Sequence, residues 1–433
     1  MRIAYFTDTY APEINGVVTS IQAHTRMLAE RGHEILIICP KYSQPVHDDV
    51  PGITVARYPS ISFITNKATR VAVPSMVSVV QRLRHFSPDV VHVQTPLSIG
   101  VVGLLGTKML RLPNVQTYHT YIPDFMQYVE ITRLLGVDAL SERVSNTYFF
   151  ERMIESGLWQ RFVRSRDQFE ERADDFFDEL LGLSREVEGR DREQLSARFA
   201  WRYTRAIYNR ADLVLTPSST LRRELVRHGV IAPVEHLSNG LDLGLVSRKD
   251  SWAPTHRMLH AGRLGAEKNV DVVLHAFAQV TDRLPGWELH IAGDGPARES
   301  LERLAGRLGL AEKVRFLGFV DRAQLAGAYR DYDFFVTAST IETQGIVLLE
   351  SMAAGLPVIG VRALAIPELI RTGRDGLVVP PGDVAAMAEA MLRLAGDDAA
   401  RAHMGGAARD DVTAHDLHTV VDRLEAIYES IAE

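Results

Sequence analysis

The sequence predicts an α/β protein of two domains, the first beginning as half of a doubly wound sheet. Three observations predict it. The chain has 433 residues, more than one ordinary hydrophobic core accommodates. It opens with a strand, loop, helix and strand in succession, the start of a βαβ unit. A second run of the same order spans Asp333 to Gly360, and between the two Val246 to Pro254 reads as a linker.

Composition excludes several function classes. The net charge of −7 carries no global field for nucleic acid or membranes. The single cysteine, Cys39, falls in the strand-like run Glu34 to Cys39 and reads as a small core residue in a reducing compartment. The start, Met1 to Thr7, is too short and too polar-bounded for a signal sequence. No apolar run approaches the ~20 residues of a membrane span. A protein on the cytoplasmic side is expected, with membrane contact at the surface only.

In order, Arg2 to Thr7 is the first strand and Val17 to Glu30 the first helix. The intervening loop Asp8 to Gly16 lacks G-x-G-x-x-G, which argues against a nicotinamide cofactor. Asn15-Gly16 at a helix start suits a diphosphate or sugar, and equally suits an ordinary left-handed turn. Val50 to Pro88 carries Arg57, Lys67, Arg70, Arg82 and Arg84 without one acidic residue, interleaved with apolar side chains. Two readings fit: docking on anionic lipid, or a core-packed helix with a solvated basic edge. Val90 to Val93 and Val115 to Tyr118 are strands, and His119 follows the second at its carboxyl end, where a ligand-facing side chain is expected. Farther on, Phe162, Phe169, Ala173, Phe176 and Leu180 recur with helical spacing in a charge-rich stretch. This predicts a helical insertion over about 140–205, serving as an intramolecular lid or a homodimer contact.

Beyond the linker, Met258 to Ala261 is a strand, followed by Gly262 to Asn269 and a helix. Arg263 and Lys268 bracket the turn into that helix, as a diphosphate clamp or as two solvated cations. Thr337 to Gly360 reads as loop, helix and strand, with Glu342 in the loop and Glu350 two turns into the helix. Two solvated charges would be the ordinary reading, but the small residues Ser351 to Gly355 imply close packing around Glu350.

The run Glu342 to Ile359, ETQGIVLLESMAAGLPVI, resembles the E-x7-E signature of the retaining, GT-B-fold glycosyltransferases of family 4. Gly262 to Lys268 is similar to that family's G-R-x-x-x-E-K segment, and Ser238 to Asp242 to its N-G-x-D hinge segment. The resemblance implies two Rossmann-like domains facing across a cleft. The acceptor-binding domain would span 1–245, the nucleotide-sugar-binding domain 255–412, and residues 413–433 would form a helix crossing back. It implies catalytic roles for His119, Arg263, Lys268 and Glu342. It implies donor contacts at Gly16, Asn239, Gly293, Val320, Thr343, Gly345, Ile346 and Glu350, the last to the ribose. Asp124 would contact the acceptor. The loop Arg362 to Glu368 departs from the family's commoner Gly-Gly-x-Pro-Glu, with Ala365 where a glycine often stands.

The implied partners are a nucleotide-sugar donor and no nucleic acid. Neither cofactor nor metal is expected, because Arg263, Lys268 and helix N-termini would meet the charge of the departing diphosphate. Together RIAYFTDTYAPEINGVVTSI, TYHT and ETQGIVLLE resemble bacterial glucosyltransferases acting on diacylglycerol, which implies UDP-glucose and a lipid acceptor at an anionic membrane. The alternatives are a transferase using GDP-mannose or a UDP-sugar on phosphatidylinositol, another glycolipid or a soluble acceptor, and a non-catalytic sugar-nucleotide-binding scaffold.

Overall fold

The computed structural model describes residues 1–44, 50–62, 70–122 and 192–433. Asp124 lies outside the described residues, as does the expected insertion up to helix Arg192–Tyr208.

The first half forms a parallel sheet from β1 (Arg2–Phe6), β2 (Glu34–Pro40), β3 (Ile53–Tyr58), β6 (Val90–Val93), β7 (Asn114–Thr117), β8 (Leu213–Thr216) and β9 (Val234–His236). Their order is β3-β2-β1-β6-β7-β8-β9. The second half forms another from β10 (Arg257–Ala261), β11 (Glu288–Ala292), β12 (Val314–Gly318), β13 (Phe334–Val336), β14 (Val358–Val361) and β15 (Gly376–Val379), ordered β12-β11-β10-β13-β14-β15. The inner strands are short apolar runs buried on both faces, as parallel sheets covered by helices require, while the edge strands β3, β9 and β12 are partly exposed; Ile3 to Phe6 and Phe334 to Val336 are wholly enclosed. Each sheet reverses its order once, at β1/β6 and at β10/β13. Open sheets of this kind bind ligands beyond the carboxyl ends of the strands at the reversal.

The chain crosses between the halves twice. After β9 it runs through Ser238 to Leu241 and the linker, where buried Asp333 accepts from Thr255 N and Arg257 N and lies 3.6 Å from Lys249 Nζ. Asp333 therefore secures the linker at the start of β13, the end opposite to the ligand crevice. The last helix, Leu417–Ala432, returns to the first half and buries Leu417, Val421, Leu424 and Tyr428 against helix Gly16–Glu30 and β6. The Tyr428 hydroxyl lies 2.6 Å from that of Tyr5 and 2.5 Å from His92 Nδ1. Outside the core, Arg31 pairs with Asp422 and His33 with Glu425.

The basic stretch is a composite of elements. Strands β4 (Ser60–Ser62) and β5 (Arg70–Ala72) pair as an antiparallel hairpin, and helix Met76–Phe86 follows. The helix buries Val79, Val80 and Leu83 while Val77, Arg82 and Arg84 stay exposed, as do Ile61 and Val73 nearby. Among the described residues no helix is long and apolar enough to cross a membrane.

Candidate active site at the strand-order reversal

Segments that leave the carboxyl ends of strands in both sheets, those of β1, β6, β7, β10 and β13 among them, bring the site together. The loop after β10 is laced to its neighbours through its backbone. Gly262 N donates to Ala292 O, Leu264 N to Asp294 O, and Gly293 N to Gly318 O. Gly293 has a φ of +146°, and a methyl there would meet Gly262 O at 1.9 Å. Only glycine allows that approach. Gly293→Ala is expected to cost about 2 kcal/mol or more through strain and displacement of the Arg263 loop. Thermal melting with and without nucleotide checks it, and an unchanged melting curve would remove this lacing as a cause of the site's geometry.

The lacing buries Leu264 and leaves Arg263 exposed, its guanidinium without a hydrogen bond or ion pair to another described residue. The loop then tightens into a turn over Ala266–Lys268, and Asn269 takes a left-handed conformation, φ 48°. Its Nδ2 donates to Ala338 O at 3.2 Å, tying this loop to the one after β13. Across that tie Lys268 Nζ donates to Glu342 Oε1 at 2.5 Å. Burial alone would raise the Glu342 pKa; Lys268 outweighs it, with help from Ser339, and holds the carboxyl below its ordinary value. Behind the pair, His260 Nδ1 bonds Val336 O at 3.0 Å, while burial pushes its pKa down to about 4.

Gly345, φ +84°, turns the chain into helix Ile346–Ala354, whose first N–H groups have no side-chain cap. Helix Gly16–Glu30 starts opposite it, capped at Val18 N by Asn15 Oδ1. A methyl on Gly16 would lie 3.5 Å from Ile346 Cδ1, so two helix N-termini meet across the cleft. Helix N-termini and the Lys268 ammonium each favour a nearby anion. Thr343 is half-buried at the same turn.

Glu350 is the fifth residue of its helix, about a turn and a half in rather than two. It is 3% exposed. Arg322 Nε donates to its Oε1 at 2.7 Å and the Tyr329 hydroxyl to its Oε2 at 3.0 Å. Each oxygen keeps room for a second donor. Val320 is half-buried just before Arg322.

From the first half, His119 follows β7 beside Gln94, which follows β6. His119 Nε2 and Gln94 Oε1 are 2.6 Å apart. Burial, then nearby His24, pushes the His119 pKa down to about 3. Asn239 lies at the hinge: its N–H donates to Gln344 Oε1, its carbonyl meets His24 Nε2 and its Oδ1 accepts from Ser20. Gln344 Nε2 donates to Ser238 Oγ at 2.6 Å, so the loop holding Glu342 is wired to the chain crossing. In the departing loop 362–368, Ala365 has φ −79° and needs no glycine; its N–H donates to Glu342 O. Glu368 there accepts from Ser219 N at 2.8 Å, capping helix Ser219–Arg227 of the first half.

The structure thus joins Lys268 to Glu342, Gly16 to Ile346 and Asn239 to the Glu342 loop. Sequence reasoning missed Gln94, Arg322, Tyr329 and Gln344. Gln94 was findable, since it leaves a strand end as His119 does.

The model of the glycosyl transferases group 1 matches residues 255–397, and that of glycosyltransferase family 4 matches 14–169 and 187–245. A GDP-mannose-dependent α-mannosyltransferase of Mycolicibacterium smegmatis is 30% identical over 446 aligned positions, covering 100% of this chain and 98% of that one. An α-monoglucosyldiacylglycerol synthase of Streptococcus pneumoniae is 26% identical, covering 83% of this chain and 70% of its own length. Among solved structures, a sucrose-phosphate synthase of Thermosynechococcus elongatus superposes with a TM-score of 0.70 at 18% identity, over 99% of this chain and 98% of that one. An Anabaena protein solved with UDP-glucose gives 0.69 at 19%, over 99% and 100%. These likenesses establish the GT-B fold, two Rossmann-like domains. With a full-length relative at that identity and both halves matched, the chain belongs to family 4 of the glycosyltransferases and acts on sugar-nucleotide donors.

Proposed function

We propose that the chain is a retaining, metal-independent hexosyltransferase that moves glucose from UDP-glucose to diacylglycerol or a similar lipid, peripherally on the cytoplasmic face of an anionic membrane. The observation that carries the transfer chemistry is the Lys268–Glu342 pair at the mouth of two opposed helix N-termini. In this reading the ammonium, Arg263 and the N–H groups of Gly345 and Ile346 take the diphosphate. Glu342 then accepts sugar hydroxyls, and Glu350, held by Arg322 and Tyr329, accepts those of the ribose. The bond from the anomeric carbon to the diphosphate oxygen breaks, the acceptor oxygen bonds that carbon from the same face, and the acceptor proton passes to the leaving phosphate. Asp333 is committed to the linker, away from this crevice, which supports charge neutralisation by cations and N–H groups.

The lipid acceptor is supported by exposed Ile61, Val73, Val77, Arg82 and Arg84 within a stretch of chain that has no acidic residue, and by the lipid named for the streptococcal relative. GDP-mannose as donor is a second reading, favoured by the full-length mannosyltransferase relative.

Nucleotide release from UDP-glucose and from GDP-mannose, each with and without vesicles of phosphatidylglycerol and diacylglycerol, tests both. UDP release is expected to rise at least about tenfold with vesicles, and to lose that rise in Arg82→Glu/Arg84→Glu, since each basic residue at such a surface contributes about 1 kcal/mol. Release from GDP-mannose alone would select the second reading. Release indifferent to vesicles would sink the lipid acceptor.

A further inference from the structure

Gln94 and His119 leave neighbouring strands side by side, because β6 and β7 pair with Val93 opposite Gln116. The Gln94 backbone is fixed by its N–H to Phe6 O at 2.8 Å, and its side chain is 2% exposed. One end of that amide is used: Oε1 meets His119 Nε2 at 2.6 Å. The other end is not: Nε2 is enclosed and has no hydrogen-bond partner among the described residues. An amide serving only to hold the fold would have both ends satisfied, because a buried orphan donor is costly.

The ring chemistry follows from the same contact. An amide oxygen only accepts, so the hydrogen between the two residues belongs to the imidazole Nε2. A neutral ring then carries a bare lone pair on Nδ1, which has no partner among the described residues. The titratable groups acting on His119 are His24, from helix Gly16–Glu30, and His92, on β6. Burial holds both neutral as well, and neither is a carboxylate that would favour an imidazolium.

We propose that Gln94 is the positioning residue of His119: it locks the imidazole as the Nε2–H tautomer, so that Nδ1 accepts from a sugar hydroxyl, and presents its own unpaired amide hydrogens to the same sugar. An acceptor nitrogen beside an amide donor suits hydroxyls, which donate and accept. It does not suit a diphosphate oxygen, which only accepts and would need a charged ring. This deepens the transferase reading and rests on it for the identity of the ligand.

The test has one arm that needs no activity. In the full chain labelled with 15N-histidine, the His119 resonances, identified by their loss in His119→Gln, are expected to show the Nε2–H tautomer at pH 7. Gln94→Glu puts a carboxylate against Nε2 and is expected to bring His119 titration up towards neutrality. In kcat/KM for the nucleotide sugar it should add a new acid limb, with partial recovery above pH 8. Gln94→Leu, of similar volume, is expected to lose roughly tenfold in kcat at every pH, the value of one positioned hydrogen bond. An Nδ1–H tautomer in the wild type would overturn the proposal. So would unchanged His119 titration in Gln94→Glu, or unchanged kcat in a folded Gln94→Leu. If the wild type turns over no nucleotide sugar, the transferase reading fails while the tautomer is still decided by the resonances.

Discussion

Lys268→Ala is expected to lower turnover of the nucleotide sugar by about 10²–10³-fold, the effect of removing one preorganised group that meets charge in a transition state. The chain should remain folded, because the pair lies at the cleft mouth: the two side chains are 18% and 13% exposed. Stability should still fall. Glu342 keeps its burial, which raises its pKa, and loses the cation that lowers it. Breaking a buried pair costs about 3–5 kcal/mol, and partial exposure discounts this to about 1–2 kcal/mol. The double variant Lys268→Ala/Glu342→Gln separates the two effects. It removes the stranded charge, so melting temperature should recover in part while turnover stays lost. The resting ion pair also has to open: the ammonium must leave Glu342 for the diphosphate, freeing the carboxylate for the sugar. Nucleotide release under saturating donor, alongside thermal melting, reads both quantities. Near-normal turnover in folded Lys268→Ala would sink the proposed diphosphate clamp.

The strands were legible because apolar runs such as Ile35 to Cys39 and Val358 to Val361 are buried on both faces and carry no competing period. Helix starts were legible to within a residue, since Asn15 and Gly345 punctuate them. What could not be read is what depends on parallel order. Lys268 and Glu342 touch across 74 residues only because β13 returns beside β10. Glu368 caps a helix of the other domain 149 residues earlier. The basic stretch was legible as charge but not as shape, because its hairpin depends on Ile61 pairing with Val71. Local pattern reports burial; it does not report which polar residue a neighbouring strand brings alongside, and for that reason Gln94 and Gln344 were passed over while the glutamates were found.

Mild acid is expected to destabilise the protein steeply. Burial pushes His24, His260 and His415 down to about 4 and His119 to about 3, and it lowers His92 as well. In the unfolded chain each protonates near 6.5. Between about pH 6.5 and 4 the unfolded state therefore binds protons that the folded state refuses, and stability is lost as pH falls. Each such histidine contributes up to about 1.4 kcal/mol per pH unit. Three carboxyls oppose this: burial raises Asp8 and Glu13, and raises Asp375 to about 6, so all three favour the folded state in acid. Setting up to three opposing protons against four or five leaves about 1.5–3 kcal/mol per pH unit near pH 5. Domain stabilities are typically about 5–15 kcal/mol, so unfolding near pH 5 is expected. Two of these histidines hold the chain crossings, His24 at Asn239 O and His415 at Ser238 Oγ. His415→Gln keeps a hydrogen-bonding group there and removes the titration. It should shift the acid midpoint to lower pH while leaving melting at pH 8 close to wild type. Melting temperature across pH 8 to 4.5 decides the matter: a flat profile down to pH 5 would mean these rings are charged or exposed in the folded state, and an unshifted midpoint in His415→Gln would take the hinge out of the acid response.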